Sequence, residues 1–284
     1  MKYFLTILLG LLLTTNIFSC SINNPDELDQ RPIVAVSIVP QKTFVEAVCE
    51  DLVEVITIIP PGYSPENYEP SSKQVEKLND ISIYFSIGVP AEGKILSNID
   101  NNRVVMLHEK VASVYPDLTF GSGERDPHIW LSPKRVKVMV EAIAEEMSKM
   151  DEENRDRYLS NAEKYLKELD DLNNKMSSIL EDIDNRKFIV YHPAFQYLAD
   201  DYNLEMYALE DEGKETTPRH LENMIDFAKG EDIKVIFYQE EIDSHQSKAF
   251  AEEINGIAIQ LSPLAADYIE SMTRMANVLS EVMM

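Results

Sequence analysis

The sequence is poor in cysteine, histidine and tryptophan, with two, five and one of them among 284 residues. The two cysteines, Cys20 and Cys49, could form at most one disulfide, so the chain is not a small scaffold built on disulfides. Because Cys49 lies in an apolar segment, we expect it to be a small residue of the core. Histidines this scarce make the setting of each one informative.

Positive charge is also scarce. The chain has 26 Lys and Arg residues against 50 Asp and Glu residues, which gives a formal net charge of −24 at pH 7. Proteins that bind nucleic acid need basic patches, so nucleic acid is excluded as a partner. An acidic surface raises the local concentration of cations. Solubility alone is also a sufficient reason for such a surface.

The apolar run at the N-terminus is too short for a membrane span. It covers residues 4–13, whereas a spanning helix needs about 20 apolar residues. Lys2 before the run and Ser19 before Cys20 give the order that is typical of a secretory signal, and Cys20 resembles the lipidated residue of a bacterial lipoprotein. We predict a signal peptide at 1–19, a lipidated Cys20, a polar tether at 20–31 and an exported protein anchored to a bacterial membrane on its periplasmic or cell-surface face. An ordinary signal peptide or an anchor helix with an incidental cysteine is the alternative.

The remaining chain divides into two similar halves, each with four short apolar runs rich in β-forming residues. The runs lie at 33–39, 53–59, 81–87 and 103–107, and at 187–191, 205–209, 234–238 and 257–261. Nearly continuous apolar runs are typical of parallel strands that are covered on both faces. Amphipathic stretches separate the runs. The pattern predicts two similar α/β lobes, each with a mainly parallel four-stranded sheet.

A long helix is predicted between the halves. Apolar residues recur at alternating steps of four and three from Tyr158 to Ile183, which is a strong helix signal. We therefore predict an N-terminal lobe at 32–150, a rigid connecting helix at 151–185 and a C-terminal lobe at 186–284. The heptad pattern could form a coiled-coil dimer. A single helix packed along both lobes explains it equally well, needs no partner and predicts a monomer.

Candidate metal ligands lie just past the predicted strands. Glu66, His192 and Glu240 follow the runs at 53–59, 187–191 and 234–238, and His128 lies in a longer loop beside Pro127. In open α/β sheets, ligands bind at the carboxyl ends of the strands. Two histidines with one or two carboxylates form an ordinary set for Zn²⁺. The sequence therefore predicts a metal site in a cleft between the lobes.

Five segments resemble, in chain order, motifs of the metal-binding lipoproteins that supply zinc and manganese ABC importers, the ZnuA/TroA-like group. The segments are Gly-Tyr-Ser-Pro-Glu-Asn-Tyr-Glu-Pro at 62–70, Asp-Pro-His-Ile-Trp-Leu-Ser-Pro at 126–133, and the stretches 192–204, 210–218 and 260–268. The resemblance covers residue 33 to the end of the chain. It implies two lobes joined by a rigid helix, with one divalent ion bound between them and passed to an ABC transporter permease.

The resemblance implies a ligand set with two departures from the family pattern. His128 and His192 fall on ligand positions, but Glu66 stands where the family has a histidine and Ser262 where it has an acidic ligand. Water or a nearby carboxylate could take the place of the acidic ligand at Ser262. We predict Glu66, His128, His192 and Glu240 as the ligands, with Asp243 as the second choice for the last one. Zn²⁺ is favoured, and the added oxygen ligands make Mn²⁺ or Fe²⁺ the alternatives.

The other histidines and charged residues have expected roles outside the ligand set. We expect His108 and His220 to be surface or packing residues, whereas His245 could approach the cleft. Tyr68 and Trp130 are expected to hold the ligand loops. Four charged residues are expected to form a network at the lobe edge without binding metal: Glu210, Glu212, Lys214 and Glu215.

The function predicted is that of a receptor that captures a divalent ion, most simply zinc, and not that of an enzyme. A surface zinc hydrolase is the main alternative class, because a missing ligand at Ser262 could leave a water on the metal. The H-E-x-x-H signature of helical zinc peptidases is absent from the sequence. A two-lobed sugar or peptide receptor is the third possibility, and it would need many aromatic and polar residues in its cleft.

Overall fold

The computed structural model of the protein describes residues 31–210, 216–242 and 245–283. Eight strands in this part of the chain form two sheets, and each strand overlaps one of the apolar runs. The strands are β1 Ile33–Val36, β2 Glu54–Thr57, β3 Ile83–Ser86, β4 Val104–Met106, β5 Lys187–Val190, β6 Glu205–Ala208, β7 Val235–Gln239 and β8 Ile257–Leu261.

The two sheets have the same topology. The first has the order β2-β1-β3-β4 and the second the order β6-β5-β7-β8, and all neighbouring strands are parallel. The residues of β3 are buried throughout, as the continuous apolar run predicts. The predicted pair of parallel four-stranded sheets is therefore confirmed, and the carboxyl ends of the strands in each sheet share one edge.

Ten helices pack around the sheets in the described residues. They are α1 Val39–Cys49, α2 Ser72–Lys77, α3 Glu92–Leu96, α4 Leu107–Ala112, α5 Pro133–Met150, α6 Arg155–Glu181, α7 Gln196–Asp201, α8 Pro218–Gly230, α9 His245–Glu253 and α10 Tyr268–Met283. The longest, α6, has 27 residues and spans about 40 Å at ~1.5 Å per residue. Helix α5 begins with the Ser132 side chain accepting a hydrogen bond from the Arg135 N–H, and Pro133 occupies its first turn.

The apolar stripe of α6 is buried within its own chain. Tyr158, Leu169 and Met176 lie in a hydrophobic core that extends from Val34 in the first sheet to Val190 in the second. Helices α1, α5 and α10 all pack against α6. The heptad pattern is therefore explained by contacts inside the chain, and a coiled-coil partner is not needed to cover it.

The one cysteine in the described residues is Cys49, at the buried end of α1. Burial raises the pKa of its thiol to about 12, so the side chain is a neutral core residue. Helices long and apolar enough to cross a membrane are absent from the described ranges. The predicted signal peptide and Cys20 lie outside them.

Candidate metal centre

Three of the four predicted ligands converge on one point. Glu66, His128 and His192 each present a ligand atom, and these atoms all lie within 4.8 Å of one another. The Oε1 atom of Glu66 is 3.3 Å from His128 Nε2 and 3.8 Å from His192 Nε2. Both imidazole rings are buried, and their centroids are 5.2 Å apart.

Each ligand comes from a different segment of the chain. Glu66 lies in the loop between β2 and α2, and His192 is the second residue after β5. His128 precedes a short 3-10 helix at Ile129–Leu131, which leads into α5. The Glu66 loop is held by the Tyr68 hydroxyl, which donates to Gln74 Oε1 at 2.9 Å.

A buried carboxylate orients the His128 ring. Asp126 Oδ1 lies 2.7 Å from His128 Nδ1 and accepts the His128 backbone N–H at 2.8 Å. Burial lowers the pKa of His128, but the charges and hydrogen bonds of Asp126 and Glu66 outweigh it and raise this pKa to about 9. With Nδ1–H directed at Asp126, the Nε2 atom is the one that faces Glu66.

Glu210 orients His192 in the same way. Its Oε2 atom is 2.7 Å from His192 Nδ1. Strands β5 and β6 pair in parallel with Val190 opposite Ala208, and continuing that register by two residues places His192 beside Glu210. Carboxylate partners of this kind fix the tautomer of a metal-binding histidine and make its other nitrogen a better ligand.

The atoms that face the centre of the cluster have few hydrogen-bond partners. His192 Nε2 is buried and unpaired, and Glu66 Oε1, which is also buried, has only the 3.3 Å contact with His128 Nε2. Burial raises the pKa of Glu66, but the hydrogen bond and charge of His128, together with the charge of His192, hold it below its ordinary value, so this carboxyl group is ionised. Buried polar atoms without partners are costly, and a bound cation would satisfy both of them.

The cluster lines a cavity of about 10 Å³. That is roughly the volume occupied by one water-sized sphere. Trp130 closes one side, where its indole N–H donates to the Pro263 carbonyl at 3.0 Å, and the buried Gln239 lies on another side. The cavity accommodates an ion but not a sugar or a peptide, so the alternative of a sugar or peptide receptor is set aside.

The structure does not bring Glu240 to the cluster. Glu240 is exposed and its Oε2 accepts a hydrogen bond from the Ser262 hydroxyl at 3.0 Å. In the described ranges, the grouped metal-ligand candidates are Glu66, His128 and His192. The remaining histidines are placed elsewhere, with His220 Nε2 near the Ala208 carbonyl at 3.0 Å. The second-choice ligand Asp243 and three members of the predicted edge network, Glu212, Lys214 and Glu215, lie outside the described residues.

Three residues at this centre are not predicted from the sequence. Asp126 is given there only as part of a motif, Glu210 is expected in an edge network, and Gln239 has no predicted role. The parallel register of β5 and β6 could have revealed Glu210, because it lies two residues past β6 as His192 lies two residues past β5. No comparable sequence signal distinguishes Gln239 from the two acidic residues after it.

Residues 34–282 match the model of the family described as zinc-uptake complex component A, periplasmic. This chain belongs to that family. The high-affinity zinc uptake system protein ZnuA of Bacillus subtilis is 26% identical over 244 residues, covering 78% of this chain and 75% of the relative. The crystal structure of ZnuA matches with a TM-score of 0.84 and 34% identity, covering 89% of this chain and 100% of the other. The SBP FpvC of Pseudomonas aeruginosa, solved with Mn²⁺, matches at 0.77 and 25% identity, covering 89% and 99%.

Membership of the zinc-uptake component A family fixes the general class of function. Its members are periplasmic substrate-binding proteins of metal transport, so this chain is a metal-binding receptor and not an enzyme. The predicted family and its two-lobed α/β fold with a long connecting helix are confirmed. The surface hydrolase reading is set aside on the same grounds.

The carboxylate that orients His192 is expected to affect affinity without contacting the metal. Glu210→Ala should weaken Zn²⁺ binding about 10- to 100-fold, the range usual for such partners. Competition with a fluorescent chelator measures this loss. Glu205→Ala is the control, because Glu205 is exposed and accepts a hydrogen bond from the Tyr207 hydroxyl. Equal affinity of the two variants would show that the Glu210 contact is incidental.

Metal binding is expected to strengthen as the pH rises. The raised pKa of His128, about 9, means that a cation must displace its proton at neutral pH. Affinity should therefore rise about tenfold per pH unit from about pH 7 towards 9, rather than level off near the ordinary value of about 6.5. Calorimetry in buffers of different ionisation enthalpy should detect about one proton released per metal at pH 7. Affinity that is constant above pH 7 would contradict this.

Proposed function

We propose that this chain captures one divalent metal ion, in the first place Zn²⁺, with Glu66, His128 and His192 and delivers it to the permease of an ABC importer. The observation that carries the proposal is the convergence of two imidazole nitrogens and one carboxylate oxygen, within 4.8 Å of one another, on a cavity of about 10 Å³. The family membership supports the transport role.

The spacing of the ligand atoms suits zinc. Zinc bonds of about 2.0 to 2.1 Å in a tetrahedral site place neighbouring ligand atoms roughly 3.3 Å apart. Glu66 Oε1 lies 3.3 Å from His128 Nε2 and 3.8 Å from His192 Nε2. Small side-chain adjustments are therefore enough to bind the ion, since the rings are already held by Asp126 and Glu210.

We propose water, and not Glu240, for the fourth coordination position. Glu240 is exposed and bonded to Ser262, and the Ser262 hydroxyl is a weak neutral ligand. The carboxylate of Glu66 still offsets part of the charge of a divalent ion when neutral water fills the fourth position.

A manganese or iron receptor of the same family is the second candidate. Glu66 supplies a carboxylate oxygen, and two histidines, one carboxylate and open positions also suit ions that prefer six ligands. The related FpvC was solved with Mn²⁺. Zinc remains the first choice because, for a given site, it generally binds more tightly than either ion.

Calorimetric titration of metal-free protein lacking residues 1–19 tests the proposal. We expect one ion per chain and a dissociation constant well below micromolar for Zn²⁺, with weaker binding of Mn²⁺ and Fe²⁺. Tighter binding of Mn²⁺ would favour the second candidate. Failure of all three ions to bind more tightly than about micromolar would rule out both.

We also propose that the chain is exported, lipidated at Cys20 and monomeric. The order of charged, apolar and small residues before Cys20 supports lipidation, and the internal packing of the α6 stripe supports a monomer. Mass spectrometry of the mature N-terminus tests the anchor, and a diacylglycerol-modified cysteine is the expected result. Sedimentation of the soluble form tests the oligomeric state, where a dimer would contradict the proposal.

Delivery to a permease needs a separate test. A strain of the source organism that lacks this protein should take up less ⁶⁵Zn²⁺ from metal-depleted medium. The wild-type chain should restore the uptake, and a His128→Ala, His192→Ala double variant should not. Restoration by the double variant would separate the transport role from the proposed site.

A further inference from the structure

A set of buried polar contacts joins the loops that carry the two histidines. We propose that Arg135, Tyr197 and Asp201, together with Ser132, form an interlobe clamp that fixes the spacing of His128 and His192 before metal binds. The clamp residues are positioning residues, since they bind the ligand loops and not the ion. The inference rests on the proposed function, because it assigns a role in metal capture to residues outside the ligand set.

The centre of the interlobe clamp is a buried ion pair between α5 and α7. Arg135 Nη1 lies 3.1 Å from Asp201 Oδ1, and both side chains are 4% exposed. The other carboxylate oxygen of Asp201 accepts a hydrogen bond from the Ser132 hydroxyl at 2.6 Å. The N-terminus of α5, which follows the His128 loop, is therefore joined to the C-terminus of α7, which follows the His192 loop.

Tyr197 extends the clamp to the His128 loop itself. Its ring lies under the Arg135 guanidinium, with 4.5 Å between Cζ and the ring centroid. Its hydroxyl donates to the Asp126 carbonyl at 3.1 Å and accepts the Leu118 N–H at 3.1 Å. The Asp126 side chain orients the His128 ring, so one hydroxyl of the second lobe holds the residue that sets this imidazole.

The connections between the clamp and the ligands are short and stiff. Ser132 follows His128 by four residues through the buried 3-10 helix at Ile129–Leu131. Tyr197 follows His192 by five residues, and Pro193 and the buried Phe195 lie between them. Segments this short and buried leave little freedom between a clamp residue and its histidine, so a shift at the clamp displaces the imidazole.

A directional contact suits this position better than apolar packing. A buried ion pair adds little net stability over a well-packed apolar pair, because both charges lose their hydration. It does impose fixed distances and angles, through the planar guanidinium and its hydrogen bonds. A metal site needs such placement, since an ion tolerates only small errors in the positions of its ligands.

Tyr197→Phe tests the clamp with the smallest change. It removes the hydroxyl contacts to Asp126 and Leu118 and keeps the ring beneath Arg135. The matched control is Tyr202→Phe, because the Tyr202 hydroxyl donates to Asn173 Oδ1 at 3.1 Å and contacts neither ligand loop. We expect about a tenfold loss of Zn²⁺ affinity for Tyr197→Phe and an altered visible spectrum of its Co²⁺ form, which reports ligand geometry. Tyr202→Phe should leave both unchanged.

A readout without metal separates this inference from the proposed function. In the metal-free protein, amide hydrogen exchange at residues 126–132 and 192–197 should become faster in Tyr197→Phe and in a second variant, Asp201→Asn, and not in Tyr202→Phe. If the wild-type protein bound no ion, the proposed function would fail, but the exchange data would still test the interlobe clamp. Unchanged affinity, Co²⁺ spectrum and exchange in Tyr197→Phe would overturn the clamp.

Discussion

Replacing His192 by alanine is expected to weaken Zn²⁺ binding by more than about 100-fold, because loss of a direct ligand should exceed the 10- to 100-fold usual for an orienting partner. The substitution removes one of three ligand atoms and leaves the partly buried Glu210 carboxylate without its imidazole partner. Competition with a chelator of known affinity measures the loss. His128→Ala should behave in the same way, since its ring is equally buried and also points at Glu66.

His220→Ala is the control for both histidine substitutions. His220 lies in α8 with Nε2 at 3.0 Å from the Ala208 carbonyl, and it is not part of the group of ligand atoms. Its removal should leave metal affinity within about twofold of the wild-type value, as expected for a residue outside the ligand set. Thermal unfolding of each metal-free variant would show whether it is folded. A folded His192→Ala protein with wild-type affinity would remove His192 from the ligand set.

Glu66→Gln is expected to lower Zn²⁺ affinity by about 100-fold. The change keeps the size of the side chain but removes the negative charge that faces two imidazoles. It should also shift the pH dependence, because Glu66 helps to raise the pKa of His128 to about 9 and its loss would lower that pKa. When zinc binds to this variant at pH 7, less than one proton per ion should therefore be released, which calorimetry in two buffers measures.

Glu240→Gln is the matched control for Glu66→Gln. It makes the same chemical change at the carboxylate predicted from the sequence as the fourth ligand, which the structure places on the surface beside Ser262. We expect this variant to retain wild-type affinity. A large loss of affinity in Glu240→Gln would return Glu240 to the ligand set. No loss of affinity in Glu66→Gln would remove Glu66 from it.

The architecture could be predicted from the sequence because its strands are buried on both faces. Continuous apolar runs mark such strands directly, and each of the eight runs overlaps a strand. The ends differ by a few residues, as in β1, which stops at Val36 because the backbone turns into α1 at Val39. Apolar character continues past a strand when the next residues are also buried, so composition alone cannot mark where the strand ends.

The convergence of the two histidines could be predicted because both lie in distinctive segments beside a proline. The position of Glu240 relative to the cluster could not be predicted, because it depends on a shift of one residue along the chain. Successive side chains of a strand point to opposite faces. Gln239 ends β7 and lines the cavity, while the next residue, Glu240, is exposed. A pattern that gives strand ends to within a few residues does not resolve such an alternation.

The roles of the two orienting carboxylates, Asp126 and Glu210, could be recognised only from the three-dimensional structure. Glu210 is 18 residues from His192 in the chain, and it reaches Nδ1 because β6 lies beside β5 in parallel register. Asp126 is only two residues from His128, but its role depends on a turn that brings Oδ1 to both the backbone N–H and Nδ1. Chain spacing alone carries neither fact.

The most direct test is a crystal structure of the zinc-loaded protein with anomalous data collected on both sides of the zinc absorption edge. One anomalous peak is expected per chain, within about 2.0 to 2.2 Å of Glu66 Oε1, His128 Nε2 and His192 Nε2. A peak bound by Glu240, or the absence of a peak between the three side chains at saturating zinc, would contradict the proposed metal centre.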